Sequence, residues 1–320
     1  MLGGLLALLS AATFAITNAA VRRGVLSGSA VQATTLSIPV GVPIFFLALT
    51  LGGDLGVFAA LPRNSVIAFA VTGVTHFVIG RYANYRAIGA IGTNLAGPVM
   101  QFNLVVSLTL AILFLGETFT AQRILGIVLI FAGPAIVTRK GAREARAAKP
   151  LSFTPRMAEG YAFAGLAAFC YGASPVMLRY AGGGRGLEAV LAGGVISSAT
   201  ASVVVLILLL APGHWREIRK VNAQAAKWFM FSAVMVYVSQ IFYYMAISLA
   251  PVTIVAPISA IGNVFRIHVS RWLNPQHEIF GPDVIVATAV SFLGVVVITA
   301  SVNALPLPAS WQAVLAWHWP

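Results

Sequence analysis

Acidic side chains are scarce: eight Asp and Glu stand against twenty Lys and Arg in 320 residues. Charge of either sign makes up only 9% of the chain, against 59% hydrophobic residues. A soluble domain carries about 25% charged residues. So little charge cannot cover a water-facing surface, and the mean hydropathy of +0.91 places the chain in a bilayer. The unbroken apolar runs mean helices rather than a barrel. The single cysteine, Cys170, lies inside an apolar segment. That excludes a disulfide framework and a Cys-based metal site, and leaves a small packing residue. No HExxH, P-loop or Gly-x-Ser-x-Gly occurs, and no His, Asp and Glu cluster falls at catalytic spacing within a span. No metal, cofactor or catalytic residue is expected. A membrane-embedded enzyme acting on a phosphorylated or lipid-linked substrate is the weaker alternative. A receptor is disfavoured because no soluble domain is evident.

What the chain does have is positive charge, +12 in all. In a soluble protein that would point to nucleic acid. Here most of the Lys and Arg sit in polar breaks between apolar runs, where they set membrane topology. Ten spans of suitable length lie near 2–21, 30–52, 65–88, 92–115, 121–138, 160–180, 187–211, 227–249, 252–273 and 283–302. The first is long enough to span and has no basic stretch before it, so it is expected to be a span and not a signal peptide. A basic, Pro-containing stretch at 139–158 divides the chain into 1–138 and 159–302, followed by a tail at 303–320. The tail holds Trp311, Trp317 and Trp319 and is expected to anchor at the interface.

The halves resemble each other. Laid without gaps, "NYRAIGAIGTNLAGPVM" over "YYMAISLAPVTIVAPIS" puts Tyr85 on Tyr244, Ala87 on Ala246, Ile88 on Ile247 and Pro98 on Pro257. Further on, "GETFTAQRILGIVLIFAG" falls on "HEIFGPDVIVATAVSFLG", with Glu117 on Glu278 and Gly133 on Gly294. Five spans per half is an odd number, so the second copy must enter the membrane in the opposite sense. The expected fold is all-α and integral to the membrane, with ten helices as two inverted five-helix repeats, a device of transporters.

These features also resemble a known family. Tyr85, Ala87 and Ile88 precede a Pro early in the fourth span, "LGE" ends that span, and "ILGIVLIFAG" forms the fifth. Together they resemble the EamA-type repeat of the drug/metabolite transporter superfamily. "LAAFCYGASPVMLRY" at 166–180 resembles the opening span of a second repeat, while "NPQHE" departs from the family's usual ending of the fourth span. The resemblance implies a ten-helix carrier of small metabolites or drugs whose cavity lies between the repeats. It does not identify the substrate.

Cavity-lining side chains should fall at helical spacing. Span nine offers Ser259, Asn263, Arg266 and Ser270 as one stripe; span eight offers Tyr237, Gln240 and Tyr244. Asn94 and Gln101 share a face of span four. Ser10, Thr13 and Thr17 in span one, with Tyr171 and Ser174 in span six, serve packing or lining equally well. Small polar residues also bond their own helix carbonyls.

Two arginines stand out in span three. Arg86 lies within a turn of its end and can snorkel to the headgroups. Arg81 lies roughly 10 Å in at 1.5 Å per residue, sharing a face with Phe77, Asn84 and Tyr85. The eight acids all fall in breaks or at span ends, so none is placed to neutralise Arg81 or Arg266. A buried cation needs partners, and the expectation is an electropositive chamber for a carboxylate or phosphate. Glu117 or Glu278 folding back, or anionic lipid, would remove that need. Span one has no acid, which disfavours the cation/proton antiport of small multidrug exporters. His76 and His268 are the groups that titrate near neutrality, though a lone histidine in a helix is more often a packing residue.

The expected partners are a small-molecule substrate and the lipid bilayer, with no nucleic acid; a homodimer is left open. The expected location is a cell membrane, the bacterial inner membrane. Basic clusters at 22–23, 139–156 and 216–227 fall in odd-numbered connections and would put both termini outside, whereas the family's termini are usually cytoplasmic. Orientation stays open.

Overall fold

The computed structural model describes residues 2–132 apart from 101 and 118, residues 156–273, and scattered positions between 286 and 319. Within these helices the side chains at 92–95, 97, 98, 263, 266, 267, 270, 271 and 273 lie outside the description. The apolar runs form helices because a bilayer leaves each backbone N–H and C=O to be satisfied within its own segment. In the first half these are α1 (Leu2–Val25), α2 (Ala30–Ser37), α3 (Gly41–Gly52), the single turn α4 (Val57–Ala60) and α5 (Arg63–Thr72). A π-helical segment, Gly73–Gly80, follows, then α6 (Arg81–Met100) and α7 (Phe102–Leu115). Ala121–Ala132 forms α8. The second half holds α9 (Met157–Gly182), α10 (Gly186–Leu209), α11 (Pro212–Arg219), α12 (Ala223–Leu249), α13 (Val252–Ala260) and α14 (Gly262–Leu273).

Among the described residues, six helical segments are long and apolar enough to cross a membrane: Leu2–Val25, Ala30–Gly52, Arg63–Ile91, Met157–Gly182, Gly186–Leu209 and Ala223–Leu249. Phe102–Leu115 and Ala121–Ala132 are shorter apolar helices. The described residues are almost wholly helical, and the chain is a multi-pass integral membrane protein. The last expected span, near 283–302, and the linker at 139–158 fall largely outside the described residues. A two-residue antiparallel pairing of β1 (Phe119–Thr120) with β2 (His318–Trp319) ties the tail to the turn after α7; Trp311 lies outside the described residues.

The breaks have local causes. Ser29 and Gln32 form a capping box at the start of α2: Ser29 Oγ accepts from Gln32 N at 3.3 Å, and Ser29 N donates to Gln32 Oε1 at 3.0 Å. Each satisfies a donor the helix cannot. Pro39 then separates α2 from α3, since it has no N–H and its ring blocks the preceding turn. Asn222 Oδ1 caps α12 by accepting from Ala225 N at 2.7 Å. At the π segment the Arg81 N–H bonds the carbonyl of His76, five residues back. Gly73 opens that segment where α10 comes closest; a Cβ there would sit 2.2 Å from the Ser197 carbonyl oxygen.

Packing runs between the halves. The first helix of the first half, α1, packs on α12 and on α13 and α14. The first helix of the second half, α9, packs on α5, the π segment and α6, and on α7. Between them α3 packs on α10. Each contact of α1 with the second half thus has a counterpart in a contact of α9 with the first. Local bonds repeat the pattern: Arg22 Nη1 donates to the Ile88 carbonyl at 3.2 Å and Arg179 Nη1 to the Ile247 carbonyl at 2.8 Å. Ile88 and Ile247 are matched positions in the aligned blocks.

Candidate functional site

Arg81 begins α6 and is only 2% exposed, among the largest side chains buried in the molecule. Its guanidinium carbon stands 4.9 Å from the ring centre of Phe77 and 4.8 Å from that of Tyr237. Nη1 donates to Tyr237 Oη at 3.2 Å and makes a longer contact of 3.4 Å with Ser37 Oγ. The break at Pro39 sets this up. The Ile38 carbonyl just before it accepts the Tyr237 hydroxyl proton at 2.8 Å, so the lone pairs of Tyr237 Oη face Arg81. Gly41, one turn on, makes room for the tyrosine ring, since a Cβ there would lie 2.3 Å from it.

Rings and hydroxyls stabilise the cation without neutralising it. A cation over a desolvated ring gains up to about 2 kcal/mol, while an uncompensated buried charge costs several. Among the described residues no carboxylate pairs with Arg81, and its Nη2 has no hydrogen-bond partner. An unmade bond at a buried donor costs about 1–3 kcal/mol, more when the group is charged. Arg81 Nη2 is therefore a buried donor with no acceptor on it among the described residues.

His76 lies one π-turn before Arg81, and Gln240 one α-turn after Tyr237 on α12. His76 Nδ1 is 2.9 Å from Ser174 Oγ, and His76 Nε2 is 2.9 Å from Gln240 Nε2. The protons can be assigned by elimination. Ser174 gives its hydroxyl proton to the Cys170 carbonyl at 2.7 Å, so Ser174 Oγ accepts from His76 Nδ1–H. His76 Nε2 then offers a lone pair to the Gln240 amide N–H, and Gln240 Oε1 is left buried without a partner. Extending the register of the aligned blocks back by three residues places Arg81 opposite Gln240. The His76 ring also lies 4.6 Å from that of Tyr171, which meets Phe14 edge-on at 6.4 Å.

The structure thus brings together Arg81, Tyr237 and Gln240 of the expected site. It adds Ser37, which no spacing singled out, His76, read as more often a packing residue, and Ser174, read as serving packing or lining equally well. Asn84 Nδ2 reaches Asn18 Oδ1 at 3.4 Å. Tyr85 is buried in a neighbouring apolar cluster with Val21, Ile88 and Phe229, and its hydroxyl has no partner among the described residues. Tyr244 is buried with its ring 5.2 Å from that of Phe45. Ser259 donates to its own helix carbonyl at Val255, 2.9 Å away, the packing use open to small polar residues. Gln101 and the side chains of Asn94, Asn263, Arg266 and Ser270 lie outside the described residues.

One expectation is corrected, and one alternative left open is decided for Glu117. Arg86 does not reach for headgroups alone: its Nε pairs with Glu159 Oε1 at 2.5 Å, and its guanidinium stands 5.9 Å from the Phe163 ring. Burial of the α6–α9 contact brings Glu159, at the start of α9, within reach. Glu117 does not fold back onto Arg81. Its carboxylate accepts from Val252 N at 2.9 Å and Thr253 N at 2.8 Å, capping the N-terminus of α13, where free donors and the helix dipole favour a negative group.

Residues 1–139 match the model of the EamA-like transporter family. The resemblance to the drug/metabolite transporter superfamily holds over that stretch, and it points to a membrane transporter of small molecules. None of the curated proteins matches the chain. One solved structure, described only as the crystal structure of a protein, is 18% identical and covers 93% of this chain and 95% of its own, with a TM-score of 0.60. At that identity the likeness is one of fold alone.

Proposed function

We propose that this chain is a secondary carrier that moves a small anionic or zwitterionic metabolite by alternating access, with Arg81 as the anchor for the anionic group. The observation that carries the reading is the Arg81 guanidinium, buried among rings, with Nη2 unpartnered and no carboxylate on it among the described residues. Cargo that supplies the missing charge is held in bidentate fashion by the guanidinium. It is released when water reaches the site from the other face.

Two inverted repeats of five helices, ten in all, give such a site two ways out. The reciprocal packing of α1 and α9, each on the later helices of the opposite half, supports a two-fold relation between repeats. So do the matched arginine hooks on Ile88 and Ile247. With Arg81 only 2% exposed, the structure corresponds to a closed state, and transport requires the halves to part at one face at a time.

The test is uptake of small carboxylates and phosphates into proteoliposomes. The parent protein is expected to move anions in preference to matched cations. Arg81→Gln is expected to lower anion uptake by more than about tenfold, the loss of one charge-assisted bond of roughly 1.5–3 kcal/mol. Uptake of anions by Arg81→Gln at the parental rate would end the assignment of Arg81 as anchor. Recovery of the solute chemically unchanged separates carriage from catalysis.

A further inference from the structure

Two buried groups of opposite character are left without partners on adjacent rungs of one ladder. Arg81 to Tyr237 is the first rung and His76 to Gln240 the second. Residues 76 and 81 are one turn apart because the intervening segment is π-helical, with bonds between residues five apart. Residues 237 and 240 are about one turn apart on α12. The free donor, Arg81 Nη2, and the free acceptor, Gln240 Oε1, therefore belong to positions about 5 Å apart along the bundle. Both side chains are nine-tenths or more buried, at 2% and 5% exposed. Buried polar atoms are nearly always hydrogen-bonded, so a donor and an acceptor left together point to one ligand that satisfies both.

We propose that Gln240 is a second substrate anchor: its carboxamide oxygen accepts a hydrogen bond from a donor group on the same small anion that Arg81 holds. The inference rests on the reading of Arg81 given above. The cargo class it assigns is a small organic anion bearing a hydroxyl, amide or ammonium donor about one helical turn from its anionic group. His76 and Ser174 are positioning residues. Ser174 holds the proton of His76 on Nδ1, His76 Nε2 takes the amide N–H of Gln240, and the oxygen is left facing the cargo. Without Ser174 the imidazole can carry its proton on Nε2, the amide turns over, and the site presents N–H in place of oxygen.

The experiment measures binding of butyrate, γ-hydroxybutyrate and levulinate to the purified full chain by calorimetry. The three acids share a carboxylate and differ in carrying no second group, a hydroxyl that donates as well as accepts, or a carbonyl that only accepts. The parent is expected to bind γ-hydroxybutyrate about tenfold tighter than butyrate, one hydrogen bond's worth, and levulinate no tighter than butyrate. Gln240→Leu is expected to lose the advantage of the hydroxyl, its affinities for γ-hydroxybutyrate and butyrate becoming equal. Ser174→Ala is expected to raise levulinate binding above butyrate, to the level of γ-hydroxybutyrate, because an exposed N–H serves carbonyl and hydroxyl alike; a merely structural role would not do this. A hydroxyl advantage that survives in Gln240→Leu overturns the second anchor while leaving Arg81 in place. Equal binding of all three acids by the parent does the same. Butyrate binding that survives in Arg81→Gln instead removes the anion anchor beneath both.

Discussion

Arg81 and Arg86 are five residues apart in one helix and have opposite surroundings. Arg86 lies where α6 meets the start of α9, half exposed, with Glu159 against it at 2.5 Å. Arg81 lies at the π-helical junction, fully enclosed, with two aromatic rings, two hydroxyls and no carboxylate among the described residues. The difference is one of use. A cation at the rim can keep a permanent partner at little cost to function, because nothing has to replace it. On the proposed reading, a cation at the centre of the carrier leaves its counter-charge to the cargo, or the cargo has nothing to bind.

The strongest way to break this contrast is to give Arg81 what Arg86 already has. Ser37 is wholly buried with its hydroxyl 3.4 Å from Arg81 Nη1, so Ser37→Asp places a carboxylate within ion-pair reach. Anion uptake in proteoliposomes is expected to fall by more than about tenfold. Thermal stability should hold or rise, because the buried charge is no longer uncompensated. The isosteric Ser37→Asn is expected to transport within a few-fold of the parent. If Ser37→Asp carried anions as well as Ser37→Asn, a vacant counter-charge would not be what the site depends on.

How the centre is assembled was only partly legible in the chain. Hydropathy alone marked the apolar helices, because bilayer thickness fixes their length. The absence of acids near Arg81 was equally plain, as a matter of counting. The angular arrangement was not. An α-helical wheel puts residues five apart roughly 140° from each other, so Arg81 grouped with Phe77, Asn84 and Tyr85, and His76 fell on another face. The π segment brings His76 and Arg81 into line, and no 3.6-residue period reports it. Gly73 was the available signal. Its backbone lies so near the Ser197 carbonyl that a Cβ would approach to 2.2 Å, and such contact between α10 and the junction depends on tertiary packing. The hook of Arg179 on Ile247 was hidden for the same reason.

A second prediction, smaller in effect, targets that junction. Gly73→Ala must push α10 and the π segment apart, which typically costs about 1–3 kcal/mol, seen as a lowered thermal midpoint. Anion uptake is expected to drop several-fold as His76 and Arg81 lose their common face. Gly89→Ala is the control, since nothing lies within 4 Å of a Cβ added there, and it should be neutral or slightly stabilising because alanine favours the helix. Equal behaviour of the two variants would mean that the junction tolerates displacement and that its π geometry does not set the site.

The smallest effect is expected at the rim. Glu159 holds Arg86 at 2.5 Å and Arg156 at 3.0 Å, so removing Arg86 leaves the carboxylate a second cation. Arg86 is itself half exposed, and ion pairs of that kind contribute at most about 1 kcal/mol. Arg86→Gln should therefore carry anions within about twofold of the parent and lose no more than about 1 kcal/mol of stability. Glu159→Gln strips both arginines at once and should cost more than Arg86→Gln in the same melting assay. Neither change alters Arg81, the charge proposed to meet the cargo. A large transport defect in Arg86→Gln, with stability kept, would place Arg86 on the cargo's path and dissolve the distinction between the two arginines.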